Sequence, residues 1–143
     1  MKIKMTSTIV PALKELKKFN KVNVVDVGAA RASFLVELDQ LIDLNNVYAI
    51  GIDPISHGIE DHYDKFYHAC VDNVDNSRKQ IFYKNISDDQ ASSLFSNNGE
   101  MIGEIDILNL NNIINDNIPN DTIHFIKIDA EGKDLHIVKS LQK

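Results

Sequence analysis

Residues 22–34, VNVVDVGAARASF, constrain the fold of this chain more than any other stretch. They begin with a short run rich in β-branched residues, which is typical of a strand buried on both faces. An acid, Asp26, and a small-residue turn at Gly28 and Ala29 follow, and apolar residues then recur at helical spacing from Phe34 onward. Strand, glycine turn and helix form the opening unit of a doubly wound α/β sheet, in which ligands bind at the carboxyl end of the first strand.

The residue types in this turn suit a ligand. Gly28 permits a backbone conformation, or a close approach of a ligand, that a Cβ would obstruct. Asp26 offers only hydrogen-bond acceptors, which suit an ammonium, a hydroxyl or backbone N–H groups. The second and third glycines of the dinucleotide fingerprint G-x-G-x-x-G are absent. Taken alone, the turn is therefore consistent with an ordinary α/β turn or with a nucleotide site.

Composition bounds the class of protein. A chain of 143 residues with 43% hydrophobic and 25% charged residues forms one domain with a real core. We predict a leading helix within residues 1–20 and the core within residues 21–143. A net charge of −6 with only two arginines argues against nucleic-acid binding. The single cysteine, Cys70, fits a reducing compartment, and no apolar run approaches the roughly 18 residues of a membrane span, so we predict a cytoplasmic protein.

A second strand, residues 47–52, ends at Asp53 and Pro54. Asp53 lies 25 positions after Gly28, about where a carboxylate binds the ribose diol in nucleotide-binding sheets. The alternative is a loop acid that caps the following helix. Residues 65–71 predict a third strand, at whose end Val71 and Asp72 can reach an adenine.

The middle of the chain carries weaker signals. His57 and His62 lie five apart near two acids, and we interpret them as solvated polar residues rather than metal ligands. Residues 80–83 predict another strand, and the Asn- and Ser-rich region up to Gly103 predicts an inserted hairpin or loop. The apolar spacing of residues 105–114 predicts a short helix from about Ile107.

The last strand, residues 123–128, ends in two carboxylates, Asp129 and Glu131, and a closing helix follows. Carboxylates at the carboxyl end of a strand are placed for catalysis or binding, since that edge of the sheet forms the crevice. Either acid can instead cap the closing helix, and this alternative does not exclude a function.

These motifs, in this order, resemble the FkbM-type family of S-adenosylmethionine-dependent methyltransferases. IHFIKIDAEGKDLHIVKSL, residues 123–141, is similar to the family's IDFLKIDVEGxExxVLxG segment, and VVDVGAARASF resembles its D-V-G-A-N-x-G-x-F motif. Residues 92–94 and 105–108 fall where the family has a serine-serine-leucine stretch and a T-L-D segment. Ala30 and Ala32 stand where the family has asparagine and, usually, glycine.

The resemblance implies a Rossmann-like class I methyltransferase sheet, a three-layer αβα fold truncated at its C-terminal strands. It implies S-adenosylmethionine as cofactor and O-methylation of a sugar or natural-product hydroxyl, with no metal. Asp129 and Glu131 would lie near the transferred methyl, either one serving as base. The implied cofactor-binding residues are Asp26, Gly28, Ala29, Asp53, Val71 and Asp72.

Two other functions fit the sequence. One is a cofactor-binding domain without turnover, which Ala30, Ala32 and the missing strands favour. The other is an α/β scaffold that binds a partner through an open sheet edge. Since the strand at 123–128 would be left as a hydrophobic edge, we also expect a homodimer formed through that edge.

Overall fold

The computed structural model describes residues 9–55, 58–84, 100–130 and 133–141 of the chain. Its central sheet is parallel and has the strand order β3-β2-β1-β7. The first strand lies inside the sheet. The chain adds strands first on one side of it and then on the other, as in a doubly wound fold. The strands are β1 (Val22–Val27), β2 (Val47–Ile52), β3 (Lys65–Tyr67), β4 (Ala69–Val71), β5 (Arg78–Lys84), β6 (Glu100–Leu108) and β7 (Phe125–Ile128).

Within the described ranges, four α-helices cover the two faces of this sheet: α1 (Ile9–Glu15), α2 (Ser33–Asp39), α3 (Leu110–Asn117) and α4 (Asp134–Ser140). Apolar residues of α1 and α2 pack with Val24 and Ala49 on one face. Those of α3 and α4 pack with Val25 and Ile50 on the other. Alternate residues of β1 and β2 thus belong to different cores, and the predicted three-layer, Rossmann-like α/β fold is confirmed.

The first strand explains why the sheet forms around it. Every residue of β1 is buried, because helices cover both of its faces. β1 pairs in parallel with β2 over its whole length, and with β7 from Val24 to Val27. This register places Asp26 between Gly51 on β2 and Lys127 on β7. The carboxyl ends of all three strands therefore meet at one edge of the sheet.

The predicted third strand, residues 65–71, is wrong as a single strand. It divides at His68: β3 pairs with β2, whereas β4 joins β6 and β5 in a second sheet. β2 ends at Ile52, and Pro54 lacks the N–H that a longer ladder would need. The chain beyond Tyr67 therefore takes a new neighbour, β6.

The helix predicted from about Ile107 is also wrong at its start. β6 continues to Leu108, with Ile107 fully buried, and α3 begins only at Leu110. The side chain of Asn109 caps this helix by accepting a hydrogen bond from the N–H of Asn111. An apolar run this short fits a strand as well as a helix, and the cap is the signal that separates them.

The predicted strand at 80–83 is confirmed within β5, which pairs antiparallel with β6. The inserted hairpin or loop predicted between these two strands lies largely outside the described residues. β6 begins at Glu100, so the end of that region, up to Gly103, is strand, and residues 85–99 lie outside the described ranges. Among the described residues, β7 has a ladder partner on its β1 side only, and the homodimer through its other edge stays a prediction.

Candidate functional site

The carboxylate of Asp26 lies at the centre of the candidate site. Asp26 has no exposed surface. The hydroxyl of Tyr63 donates a 2.6 Å hydrogen bond to Oδ2, and Nζ of Lys127 lies 2.9 Å from Oδ1. Burial raises the pKa of Asp26 above its ordinary value, although Lys127 and Tyr63 act in the opposite direction. The acid is thus held under the turn between two donors.

Gly51 makes room for the tyrosine. A Cβ at Gly51 would lie 2.8 Å from Cδ1 of Tyr63 and 2.7 Å from Cδ2 of Phe66. Gly51 is also the residue of β2 that pairs with Asp26. The missing side chain therefore lets the ring of Tyr63 cross β2 and reach the acid. Burial and the neighbouring charge of Asp26 raise the pKa of the Tyr63 hydroxyl, so it remains a donor.

The turn after β1 packs against the backbone of β7. Gly28 has a φ of +74°, and a Cβ there would overlap the carbonyl oxygen of Asp129 and lie 2.9 Å from its carbon. The N–H groups of Gly28 and Ala29 both donate to the carbonyl of Ile52, at 2.9 and 3.1 Å. Lys127 donates to the Gly28 carbonyl at 2.6 Å. The glycine is thus required by contacts within the protein itself.

Two alanines of the turn adopt the left-handed conformation. Ala30 has a φ of 45° and Ala32 a φ of 56°. Such a conformation costs a non-glycine residue about 1–2 kcal/mol, and asparagine tolerates it better than alanine. Asparagine and glycine, which stand at these two positions in the motif that the turn resembles, are the two types that adopt it most readily.

Replacing Ala30 with asparagine should raise the free energy of unfolding by about 1 kcal/mol, because asparagine adopts positive φ at lower cost and keeps the N–H. Urea denaturation measures the change. Ala29→Gly is the control: Ala29 is buried and its φ is not positive, so this variant should lose about 1 kcal/mol instead. Equal losses in both variants would contradict the strain argument.

Asp53 lies at the end of β2, beside the turn. Its Oδ2 accepts a 2.9 Å hydrogen bond from the N–H of Ala30, and its Oδ1 accepts one of 2.8 Å from Ile55. The side chain therefore ties β2 to the turn. Its charge contributes to raising the pKa of Asp26 and of Cys70 on β4, so Asp53 lies near both groups.

Asp72 also lies on the carboxyl edge, on the side of β4. It follows β4, is nearly buried, and pairs with Lys133 at 2.8 Å and with Arg78 at 3.8 Å. Although burial acts to raise its pKa, hydrogen bonds from Lys133 and from the N–H of Asn73 lower the pKa of Asp72 below its ordinary value. Val71 packs into the core beneath this edge. Burial, with the charges of Asp53 and Asp72, raises the pKa of the Cys70 thiol to about 12.

Of the two acids after β7, the structure describes only Asp129. Its N–H donates to the carbonyl of Val27 at 2.9 Å, and its side chain is exposed. Lys133 is the N-cap residue of α4, and the carboxylate of Asp134 bonds to the N–H of Ala130. Asp129 therefore does not cap the helix. Glu131 lies outside the described residues.

The structure thus brings Asp26, Gly28, Asp53, Asp72 and Asp129 to one edge of the two sheets, and Ala29 is buried within the turn itself. Sequence reasoning missed three of their partners, Tyr63, Lys127 and Lys133. Lys127 carried a usable signal, because a lysine between isoleucines in a strand needs a partner for its charge. Tyr63 carried none, since it lies in a connection whose path depends on Gly51.

No three His, Cys, Asp or Glu side chains in the described ranges are grouped so that they could hold a metal ion. No helix in the same ranges is long and apolar enough to cross a membrane.

Comparison with known proteins gives one match. A family model described as the methyltransferase FkbM domain matches residues 10–143, nearly the whole chain. A search of curated proteins and a search of solved structures each gave no match.

Proposed function

Because the chain belongs to the FkbM methyltransferase family, we propose that it binds S-adenosylmethionine at the carboxyl edge of its sheet and transfers the methyl to a hydroxyl. The acceptor that we propose is a sugar or a natural product. When bound, the cofactor would supply an electrophilic methyl on a sulfonium. The chain would bind it, align the acceptor with it, and remove the hydroxyl proton.

The observation that carries this proposal is that the N–H groups of the turn donate to acceptors within the protein. The N–H groups of Gly28 and Ala29 bond to Ile52, and that of Ala30 bonds to Asp53. A dinucleotide site instead points such N–H groups at a pyrophosphate. This edge, which also carries Asp72, therefore suits an adenosyl ligand without phosphates better than a dinucleotide.

In this proposal, Asp53 accepts hydrogen bonds from the ribose hydroxyls. A carboxylate has about four acceptor positions, and the N–H bonds from Ala30 and Ile55 fix its orientation. Asp26, Gly28 and Ala29 form the floor beneath the ligand. Val71 and Asp72 lie on the β4 side, where the adenine would bind.

Titration calorimetry with S-adenosylmethionine tests the proposal. Binding, followed by methyl transfer to a member of a hydroxyl-acceptor panel, would support it. Binding without transfer would favour a cofactor-binding domain without turnover. If the chain does not bind the ligand at millimolar concentration, the methyltransferase and the cofactor-binding domain are both excluded. The α/β scaffold that binds a partner would then remain.

Asp53→Ala should weaken S-adenosylmethionine binding by roughly ten- to a hundredfold, because it removes a charged acceptor and releases the turn. Calorimetry measures this affinity. Asp64→Ala is a matched control: Asp64 precedes β3, and its Oδ2 accepts the N–H of Ala49 at 2.7 Å. This variant also loses a carboxylate–backbone bond, but should bind normally. Unchanged affinity in Asp53→Ala would show that the cofactor assignment is wrong.

The base can be assigned by comparing Glu131→Gln with Asp129→Asn. The variant that lacks the base should transfer methyl about 10²- to 10⁴-fold more slowly, because no group then accepts the hydroxyl proton. Its S-adenosylmethionine affinity should stay unchanged, and the other variant serves as control. If both retain the full rate, the base lies elsewhere.

A further inference from the structure

The ammonium of Lys127 touches both the backbone of the turn and the buried acid beneath it. Nζ donates to the Gly28 carbonyl at 2.6 Å and lies 2.9 Å from Oδ1 of Asp26. The side chain is nevertheless 18% exposed. An ammonium carries three donors; among the described residues, Lys127 donates one hydrogen bond to the Gly28 carbonyl and forms an ion pair with Asp26. Counted over those residues, at least one N–H remains beyond these two contacts.

A ligand with a carboxylate group would meet few other available donors at this turn. The N–H groups of Gly28, Ala29 and Ala30 are used within the protein, and that of Ala32 donates to the carbonyl of Ala29 at 2.8 Å. A carboxylate next to this turn therefore needs a side-chain donor. Lys133, a second cation at this edge, is bound to Asp72.

The two acceptors nearest this point already face a cation. An α-ammonium would be expected to bind a carbonyl or a carboxylate, and at this point both the Gly28 carbonyl and Asp26 Oδ1 hold Lys127. A ligand ammonium placed there would also meet a like charge. Lys127 itself therefore suits a ligand carboxylate, to which it can donate, better than a ligand ammonium, which it would repel.

We propose that Lys127 binds the carboxylate of the cofactor's amino-acid end through its remaining N–H. The carboxylate, and not the ammonium, then lies next to the turn. The proposal rests on the proposed binding of S-adenosylmethionine. It makes Lys127 a ligand contact in addition to a support of the turn.

Two ligands test it. S-adenosylhomocysteine has the amino-acid end, whereas 5′-methylthioadenosine has the same adenosyl thioether without it. Because Lys127→Met alone would leave Asp26 without its cation, the comparison is made between Asp26→Asn and the double variant Asp26→Asn/Lys127→Met. A cooperative thermal unfolding transition would confirm that each variant is folded, and titration calorimetry then measures the two affinities.

The double variant should bind S-adenosylhomocysteine roughly ten- to a hundredfold more weakly than Asp26→Asn does, as expected for loss of a charge-assisted hydrogen bond. Its affinity for 5′-methylthioadenosine should change less than about twofold, since that ligand offers no carboxylate. Equal losses for both ligands would reduce Lys127 to a support of the turn, and unchanged affinities would exclude a role in binding. Either result overturns the inference while leaving adenosyl binding intact. Failure of the wild-type chain to bind either ligand would overturn the proposed function itself.

Discussion

Gly28→Ala should lower the free energy of unfolding by about 3 kcal/mol or more, and so remove a large part of the stability of a domain this size. Two effects add. A φ of +74° costs an alanine about 1–2 kcal/mol. The new Cβ would also overlap the carbonyl oxygen of Asp129, which is backbone and moves only if the end of β7 moves with it. Urea denaturation measures the loss.

Gly58→Ala separates these two effects. Gly58 has a φ of +70°, nearly that of Gly28, but in the part of the chain that the structure describes a Cβ there would meet no atom within 4 Å beyond its chain neighbours. This variant should lose only the cost of the conformation, about 1–2 kcal/mol. If the two variants lose the same amount, β7 absorbs the overlap, and the packing of the turn against it is looser than the geometry indicates.

Gly28 also shows what the sequence can and cannot reveal about the turn. From the sequence, a glycine here indicates either an unusual backbone conformation or a close ligand approach. Its φ bears out the first interpretation, whereas the carbonyl of Asp129 occupies the space where a Cβ would lie. Since Asp129 is about a hundred positions along the chain, no local pattern could reveal this contact.

The parts of the fold that were predictable are those fixed by local patterns. β2 begins and ends where predicted, because an apolar run followed by Asp53 and Pro54 allows few alternatives. The division at His68 was not predictable, because it depends on which strand lies alongside. The apolar pattern is the same for either neighbour.

The candidate site shows the same contrast. The acids at strand ends could be found, since topology brings such ends together. The donors to these acids could be predicted only where a charged residue lies within an apolar strand, as Lys127 does between Ile126 and Ile128. Tyr63 reaches Asp26 by crossing Gly51, a route set by packing rather than by pattern.

Lys127→Met should lower the free energy of unfolding by about 3–5 kcal/mol at neutral pH, because it leaves the buried carboxylate of Asp26 without its cation. Chemical denaturation measures this loss. A second change, Asp26→Asn, should restore most of it, since the uncompensated charge is then gone. Lys79→Met is the matched control, because Lys79 pairs with Asp106 at 3.1 Å but on the surface. Its loss should stay below about 1 kcal/mol.

The loss in Lys127→Met should also depend on pH in a definite direction. Burial raises the pKa of Asp26, and Lys127 lowers it, so removing the lysine raises the pKa further. An acid whose pKa is higher in the folded than in the unfolded state contributes stability at low pH, and that contribution is lost as the pH rises through the folded value. Relative to the double variant, Lys127→Met should therefore be less destabilised at about pH 5 than at about pH 8. A difference that stays constant across this range would show that Asp26 does not change its protonation state between these two pH values, and would contradict this prediction.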